Sequence, residues 1–215
     1  GSGGTSFWTD TNGDAVLANP VWKPAAPMPD SRFGHRAALL PSGEVLTVGY
    51  ATYADIYDPK ADSWTPAPNL LSTQYHTTAT VLDSGKVLVA GGTNGNTILA
   101  TAELYDPVAN TWAATGSLKT ARWQHTATKL GDGRVLVAGG STTGNQKIAS
   151  AELYDPNTGT WSPAQPMMLA HAEHVAARLP SGAVLVAGGG TNTLDVELYD
   201  PKTNAWTAGP ALSTY

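Results

Sequence analysis

Polar and ionisable side chains recur four times in one short context of this sequence: Arg32 with His35, Gln74 with His76, Arg122 with His125, and His171 with Glu173 and His174. Arg presents a planar fork of donors suited to a carboxylate. Imidazole is the commonest metal ligand and titrates near neutrality. Alignment of the four copies makes His35, His125 and His174 equivalent and sets His76 one place nearer the N-terminus. Three converging imidazoles are a candidate divalent-metal site; the plainer expectation is that each ring bonds a neighbouring backbone carbonyl. Glu173 alone adds a carboxylate at this spacing, which weakens the metal reading. Phe33, Tyr75 and Trp123 follow the first polar residue in three copies and Ala172 in the fourth, so three copies offer an aromatic face for stacking. The candidate ligand contacts are therefore Arg32, Phe33, Gln74, Tyr75, Arg122, Trp123, His171 and Glu173. No residue is nominated as catalytic, and no cofactor is called for.

Acids recur elsewhere, at Asp55, Glu103, Glu152 and Glu197. A catalytic pair needs two carboxyls in unlike environments, so four alike read as structural partners of amides or arginines. The sequence holds no Gly-x-Ser-x-Gly elbow, phosphate loop or His-Glu-x-x-His segment. An acid–base pair unique to one copy would mark an enzyme, and only Glu173 with His171 and His174 comes near.

What must position these residues is a repeat. Tyr57-Asp58-Pro59 to Trp64, Tyr105-Asp106-Pro107 to Trp112, Tyr154-Asp155-Pro156 to Trp161 and Tyr199-Asp200-Pro201 to Trp206 share one spacing. Each follows an apolar run ending in glycine: Val87 to Gly92, Val135 to Gly140, Val184 to Gly189, and the degenerate Val45 to Tyr50. From glycine to glycine the period is 42, 48 and 49 residues, the range of blades and solenoid turns. Four strands per unit are predicted. Strand A (36–40, 78–82, 126–130, 175–179) leads through a small-polar-plus-Gly turn into strand B, the Val-Leu-Val-Ala run, apolar on both faces. Strand C carries Tyr and is stopped by Asp-Pro, where Asp bonds nearby amides and Pro removes a ladder donor. Strand D opens at Trp. A Trp fixed at one place in every unit reads as packing between neighbouring sheets.

These residues resemble the kelch family, whose motif is a hydrophobic run, a double glycine, then a spaced Tyr and Trp. The resemblance covers about residues 20 to 212. It implies an all-β, kelch-type β-propeller of four-stranded antiparallel blades, with repeats at about 32–66, 74–114, 122–163 and 171–208. The departures are Tyr50 in place of a glycine, and Gln74 and His171 in place of Arg. Trp22 stands ten residues before Arg32, so 21–26 read as an extra D strand, a partial N-terminal blade. The propeller domain is thus 21–215, residues 5–20 form an extension, and Gly1 to Gly4 read as an expression scar. Five D strands against four sets of A to C suit a piece of a longer chain, half of an oligomeric ring or a small closed ring. Self-association into a homodimer is the expectation, because an open array exposes strand edges.

The resemblance also implies which face binds. The B to C connections hold three, nine, ten and six residues, rich in Asn and Thr, and share an end of each blade with the D to A connections. In the family this face resembles the usual site for peptides or small ligands. The expected function is therefore a non-enzymatic module recognising a protein or glycan. The alternatives are a small-sugar enzyme of the kelch mutarotase type at the channel mouth, and a ligand-free, self-assembling propeller. Copper radical oxidases share the scaffold, but their cofactor includes a cysteine and this chain has none.

Composition narrows the partners. A net charge of −5 lacks the basic footprint that grips phosphate backbones, which argues against nucleic acid. The longest strand-like apolar runs hold four to six residues before a glycine, far short of the roughly 20 a membrane-spanning helix needs. A soluble chain without a membrane partner is expected. The lack of cysteine leaves open whether it is cytoplasmic or exported.

Overall fold

A computed structural model describes residues 7–9, 15–17, 24–190 and 195–212, with side chains from residue 24 onward except that of Tyr50. Strands β1 (Phe7–Thr9) and β2 (Ala15–Leu17) pair as an antiparallel hairpin. Four four-stranded antiparallel sheets follow, each a meander in chain order. Blade 1 is β3 (Arg36–Leu39), β4 (Val45–Tyr50), β5 (Tyr53–Asp58) and β6 (Ser63–Ala67); blade 2 is β7 (Thr78–Val81), β8 (Val87–Ala90), β9 (Ala102–Asp106) and β10 (Thr111–Ala114). Blade 3 is β11 (Thr126–Lys129), β12 (Val135–Ala138), β15 (Ala151–Asp155) and β16 (Thr160–Ala164), with a short ribbon of β13 (Ser141–Thr142) and β14 (Gln146–Lys147) in its B to C loop. Blade 4 is β17 (Val175–Arg178), β18 (Val184–Ala187), β19 (Val196–Asp200) and β20 (Ala205–Ala208). Of the expected extra D strand, 21–23 lie outside the described residues and 24–26 are not strand. Ala26 nevertheless sits where Pro68, Gly116 and Gln165 end their D strands, since the Trp64 indole donates to Ala26 O at 2.9 Å.

The Tyr-to-Trp spacing is a register. It places Tyr57 opposite Trp64, Tyr105 opposite Trp112, Tyr154 opposite Trp161 and Tyr199 opposite Trp206 across strands C and D. In each pair the ring centroids lie 5.0 Å apart, a tilted aromatic contact worth about 0.5–1.5 kcal/mol beyond its buried area. The Asp of Asp-Pro caps the turn between them: Asp58, Asp106, Asp155 and Asp200 accept the amides of Lys60, Val108, Asn157 and Lys202. Each of these Trp residues also reaches back to the preceding unit, donating to Ala26 O, Pro68 O, Gly116 O or Gln165 O at 2.7–2.9 Å.

The core lies between blades, and strand B alternates between two of them. Val87 and Val89 pack against Leu46, Val48 and Leu40 of blade 1, while Leu88 and Ala90 pack with Val135, Val137 and Tyr154 of blade 3. A third cluster joins Leu136, Leu153 and Met167 to Val184 and Val186 of blade 4. Strands A lie innermost, β3 beside β7, β7 beside β11 and β11 beside β17.

The glycine pair lets the connections cross strand B. Gly91 and Gly92 have φ of +64° and +98°. A Cβ on Gly91 would come within 2.7 Å of Arg122 O in the next blade, and one on Gly92 within 2.4 Å of Tyr75 O in its own. Gly92 N then donates to Arg122 O at 2.8 Å. Blade 1 has Tyr50 at the second position; there β4 runs on through a bulge and pairs Tyr50 with Tyr53, leaving a two-residue turn instead of the expected three.

Leu88→Ala should lower unfolding free energy by about 2–5 kcal/mol in urea titration. Gly92→Ala should cost a comparable amount, about 2 kcal/mol or more, because it adds a positive-φ penalty to a backbone clash.

Candidate functional site

Four of the eight predicted ligand contacts turn inward. The Arg122 guanidinium donates to Glu152 at 2.8 Å and to Gly139 O and Ser150 O at 2.8 Å. Arg32 pairs with Asp55. Gln74 Nε2 donates to Glu103 at 2.9 Å, and His171 Nε2 lies 3.0 Å from Glu197 with its Nδ1 2.7 Å from Gly188 O. All four side chains are fully buried. The same carboxylates cap the connection before them: Glu103 accepts Leu71 N, Glu152 accepts Lys119 N and Thr120 N, and Glu197 accepts Met168 N and Leu169 N. A buried carboxylate demands donors, and Arg, Gln and His each supply one. Arg32, Gln74, Arg122 and His171 thus belong to the scaffold, and the strand C acids are the structural partners expected of them.

The imidazoles do not gather. His125 Nε2 lies 3.3 Å from Thr78 Oγ1 and His174 Nε2 2.8 Å from Thr126 Oγ1, each on the preceding blade. Both rings have a threonine hydroxyl as partner, and His125 also has the backbone carbonyl partner expected, at Ala90. Among the described residues no three His, Asp or Glu side chains form a metal-binding group, so His35, His125 and His174 do not fit one. Burial, with Arg122 nearby, depresses His125 from 6.5 to about 3, and burial, with His171 nearby, depresses His174 to about 4.

Of the other four candidates, Phe33, Tyr75 and Trp123 line a groove at the end of the blades where the D to A and B to C connections meet. Strand bridges between Tyr75 and Thr93, and between Trp123 and Ser141, bring the D to A and B to C connections to one end of each blade. Phe33, 61% exposed, stacks on Tyr75 with centroids 5.6 Å apart and planes at 15°. His76 meets Trp123 edge-on at 5.4 Å. These rings wall a groove of about 770 Å³, closed opposite by Thr93, Asn94, Asn96, Thr143 and Asn145, with no Asp, Glu, Lys or Arg in its lining. The loop is braced from within: Asn94 Oδ1 accepts Asn96 N and Thr97 N, and Thr93 donates to Thr97 O. The carboxamides of Asn96 and Asn145 have no partner among the described residues, and the Trp123 indole N–H is buried without an acceptor.

Glu173 points elsewhere. It accepts Gln124 Nε2 and lines a second cavity of about 490 Å³ on the channel side, with Arg36, His76, Thr78, His125 and His174. The sequence reading missed Arg36, Gln124 and the site role of His76. For His76 and Gln124 the signal was positional: Gly34, His76, Gln124 and Glu173 share one place, all at positive φ, and are four different residue types.

The Kelch motif profile matches residues 75–119 and 130–168. These blades are built of kelch motifs. Among solved structures, "Structure of YjhT" superposes on 89% of this chain and 68% of its own at 17% identity, with a TM-score of 0.75. A fungal alcohol oxidase solved in complex with copper superposes on 94% of this chain and 57% of its own at 18% identity and a TM-score of 0.56. Both likenesses concern the fold, and this chain spans little more than half of the oxidase. No curated protein matches the sequence.

Arg122→Ala should cost about 3–5 kcal/mol by leaving Glu152 buried without its counter-ion, whereas Arg122→Gln, which copies Gln74 of blade 2, should lose clearly less in chemical denaturation. His125 and His174 stay neutral when folded but charge when unfolded, so stability is complete above pH 6.5 and falls as pH drops from 6.5 towards about 4. Urea midpoints from pH 7.5 to 4.5 should follow this fall, and His174→Gln should flatten it.

Proposed function

We propose that the chain is a binding module that captures a neutral glycan in the groove of Phe33, Tyr75 and Trp123. The observation that carries this reading is the composition of that groove: three aromatic rings face Asn and Thr side chains with no ionic group between them. A sugar presents apolar C–H faces that stack on rings and hydroxyls that exchange hydrogen bonds with carboxamides and threonines. The internal bracing of the 93–97 loop reduces the ordering cost of binding. The one titratable side chain among the lining residues, His76, is held below its ordinary pKa by burial and by Arg36, so a charged peptide finds no fixed counter-ion here at neutral pH. The enzyme alternative has less support, since the three residues nearest to an acid–base pair are engaged separately: His171 with Glu197, His174 with Thr126, and Glu173 with Gln124.

We also propose self-association. Its support is that the described residues form cores between blades 1 and 2, 2 and 3, and 3 and 4, and none between 4 and 1.

Calorimetric titration with neutral hexasaccharides from glucan, xylan and galactan should find at least one ligand, and Trp123→Ala should abolish its binding while the melting temperature stays within a few degrees. Binding that survives Trp123→Ala, or selective capture of a charged peptide instead, would overturn the glycan reading. Light scattering on a sizing column should give a mass above the 22.3 kDa of one chain; a monomer across micromolar concentrations would dismiss self-association.

A further inference from the structure

Junctions between neighbouring blades repeat one contact on the channel wall. Thr78 of blade 2 meets His125 of blade 3, and Thr126 of blade 3 meets His174 of blade 4. Each contact joins two neutral groups. At the junction of blades 1 and 2 the same two places hold Arg36 and Thr77. Thr77 directs its hydroxyl to Ala90 O at 2.9 Å and Gln74 Oε1 at 3.1 Å. Among the described residues the Arg36 side chain makes a single hydrogen bond, to His35 O at 3.0 Å. A guanidinium carries five N–H donors, and among the described residues no carboxylate lies within ion-pair distance of this one.

The imidazole missing from that wall stands one residue earlier. His76 holds a left-handed backbone at φ +50°, as do Gln124 and Glu173 at the equivalent places. Gly34 occupies this place in blade 1 at no steric cost, so a side chain here is not needed for the fold. The His76 ring fills the space over Gly34, where a Cβ would come within 3.0 Å of it. Its nitrogens make no hydrogen bond among the described residues. His76 is also the one residue that lines both the channel cavity and the aromatic groove. A symmetric scaffold that keeps a strained histidine and an unpaired arginine side by side at one junction has departed from its own repeat at both positions together.

We propose that Arg36 and His76 form an anion subsite at the channel mouth, taking a carboxylate or phosphate group whose parent molecule extends over His76 towards the aromatic groove. The placement of the parent molecule rests on the glycan reading; the anion subsite itself does not. The other titratable groups on this cavity are Glu173, held by Gln124, and the neutral His125 and His174. Arg36 and Glu173 balance each other, which favours a singly charged ligand over a polyanion. Burial and then Arg36 hold His76 below its ordinary 6.5, with Glu173 acting in the opposite sense. An anion beside the ring stabilises the imidazolium, so binding raises the histidine pKa and affinity increases as pH falls.

The test is a proton NMR titration of the histidine Cε1–H resonances from pH 8 to 4.5 at fixed ionic strength, with D-glucuronate, inorganic phosphate or D-glucose added. D-glucuronate or phosphate should raise the apparent pKa of His76, and D-glucose should leave it in place. A response to D-glucuronate alone assigns a sugar carboxylate, and a response to phosphate alone a phosphate group. Arg36→Thr, the residue of blades 2 and 3, should weaken the anion about tenfold and remove the shift. Arg36→Thr with Thr77→His restores the repeat contact and should be equally unresponsive while melting at or above the parent temperature. No anion-dependent shift of His76, or a shift that persists in both variants, would overturn the subsite. Neutral hexasaccharide binding measured at pH 8 reports on the groove alone, so the two readings fail separately.

Discussion

The fold depends on one buried carboxylate per blade. Asp55, Glu103, Glu152 and Glu197 are almost fully buried on strand C, where an unmet charge would cost several kcal/mol. In blades 2 to 4 each draws one or two backbone amides from the preceding connection, and in every blade it draws at least one side-chain donor, so an irregular segment is fixed as firmly as a strand. That segment then crosses the glycine pair and delivers the aromatic residue to one face and the left-handed residue to the channel. The site is therefore built on loops whose positions are set by interior electrostatics.

Much of this was legible in the sequence because repetition removes ambiguity. Four copies of the Tyr-to-Trp spacing marked strands C and D, the Asp-Pro pairs predicted turns closed by Asp, and the apolar runs predicted strands buried on both faces. The glycine pairs marked the end of strand B, and the close approach that requires them is seen only in the structure. The variable connections and the aromatic residues Phe33, Tyr75 and Trp123 were expected to share one end of the blades, and the structure brings them together there.

The polar residues were not legible in the same way. Arg32, Gln74, Arg122 and His171 carry the chemistry of ligand anchors, and their recurrence suits equally a ring of contacts or a set of internal braces. What separates these is the partner, a carboxylate 23 to 30 residues later in the chain, and pairing across a sheet is not written in local sequence. The informative signal was the opposite one. Where the repeat holds, as at the strand C acids, the residue supports the fold. Where it breaks at constant backbone geometry, as from Gly34 to His76, Gln124 and Glu173, the side chain is free to differ in role.

The indole bonds give the array a direction. Every strand D Trp donates backwards, to a carbonyl of the unit before it, and none of the four donates forwards. A buried donor without an acceptor is costly, whereas a carbonyl left without its indole can turn to water. Trp112 packs in the core between blades 1 and 2, so detaching the first blade would bare an indole donor, while detaching the last would leave blade 3 with the Gln165 carbonyl to hydrate. Each blade thus has two unlike faces, an indole donor towards the blade before it and a carbonyl acceptor towards the blade after it.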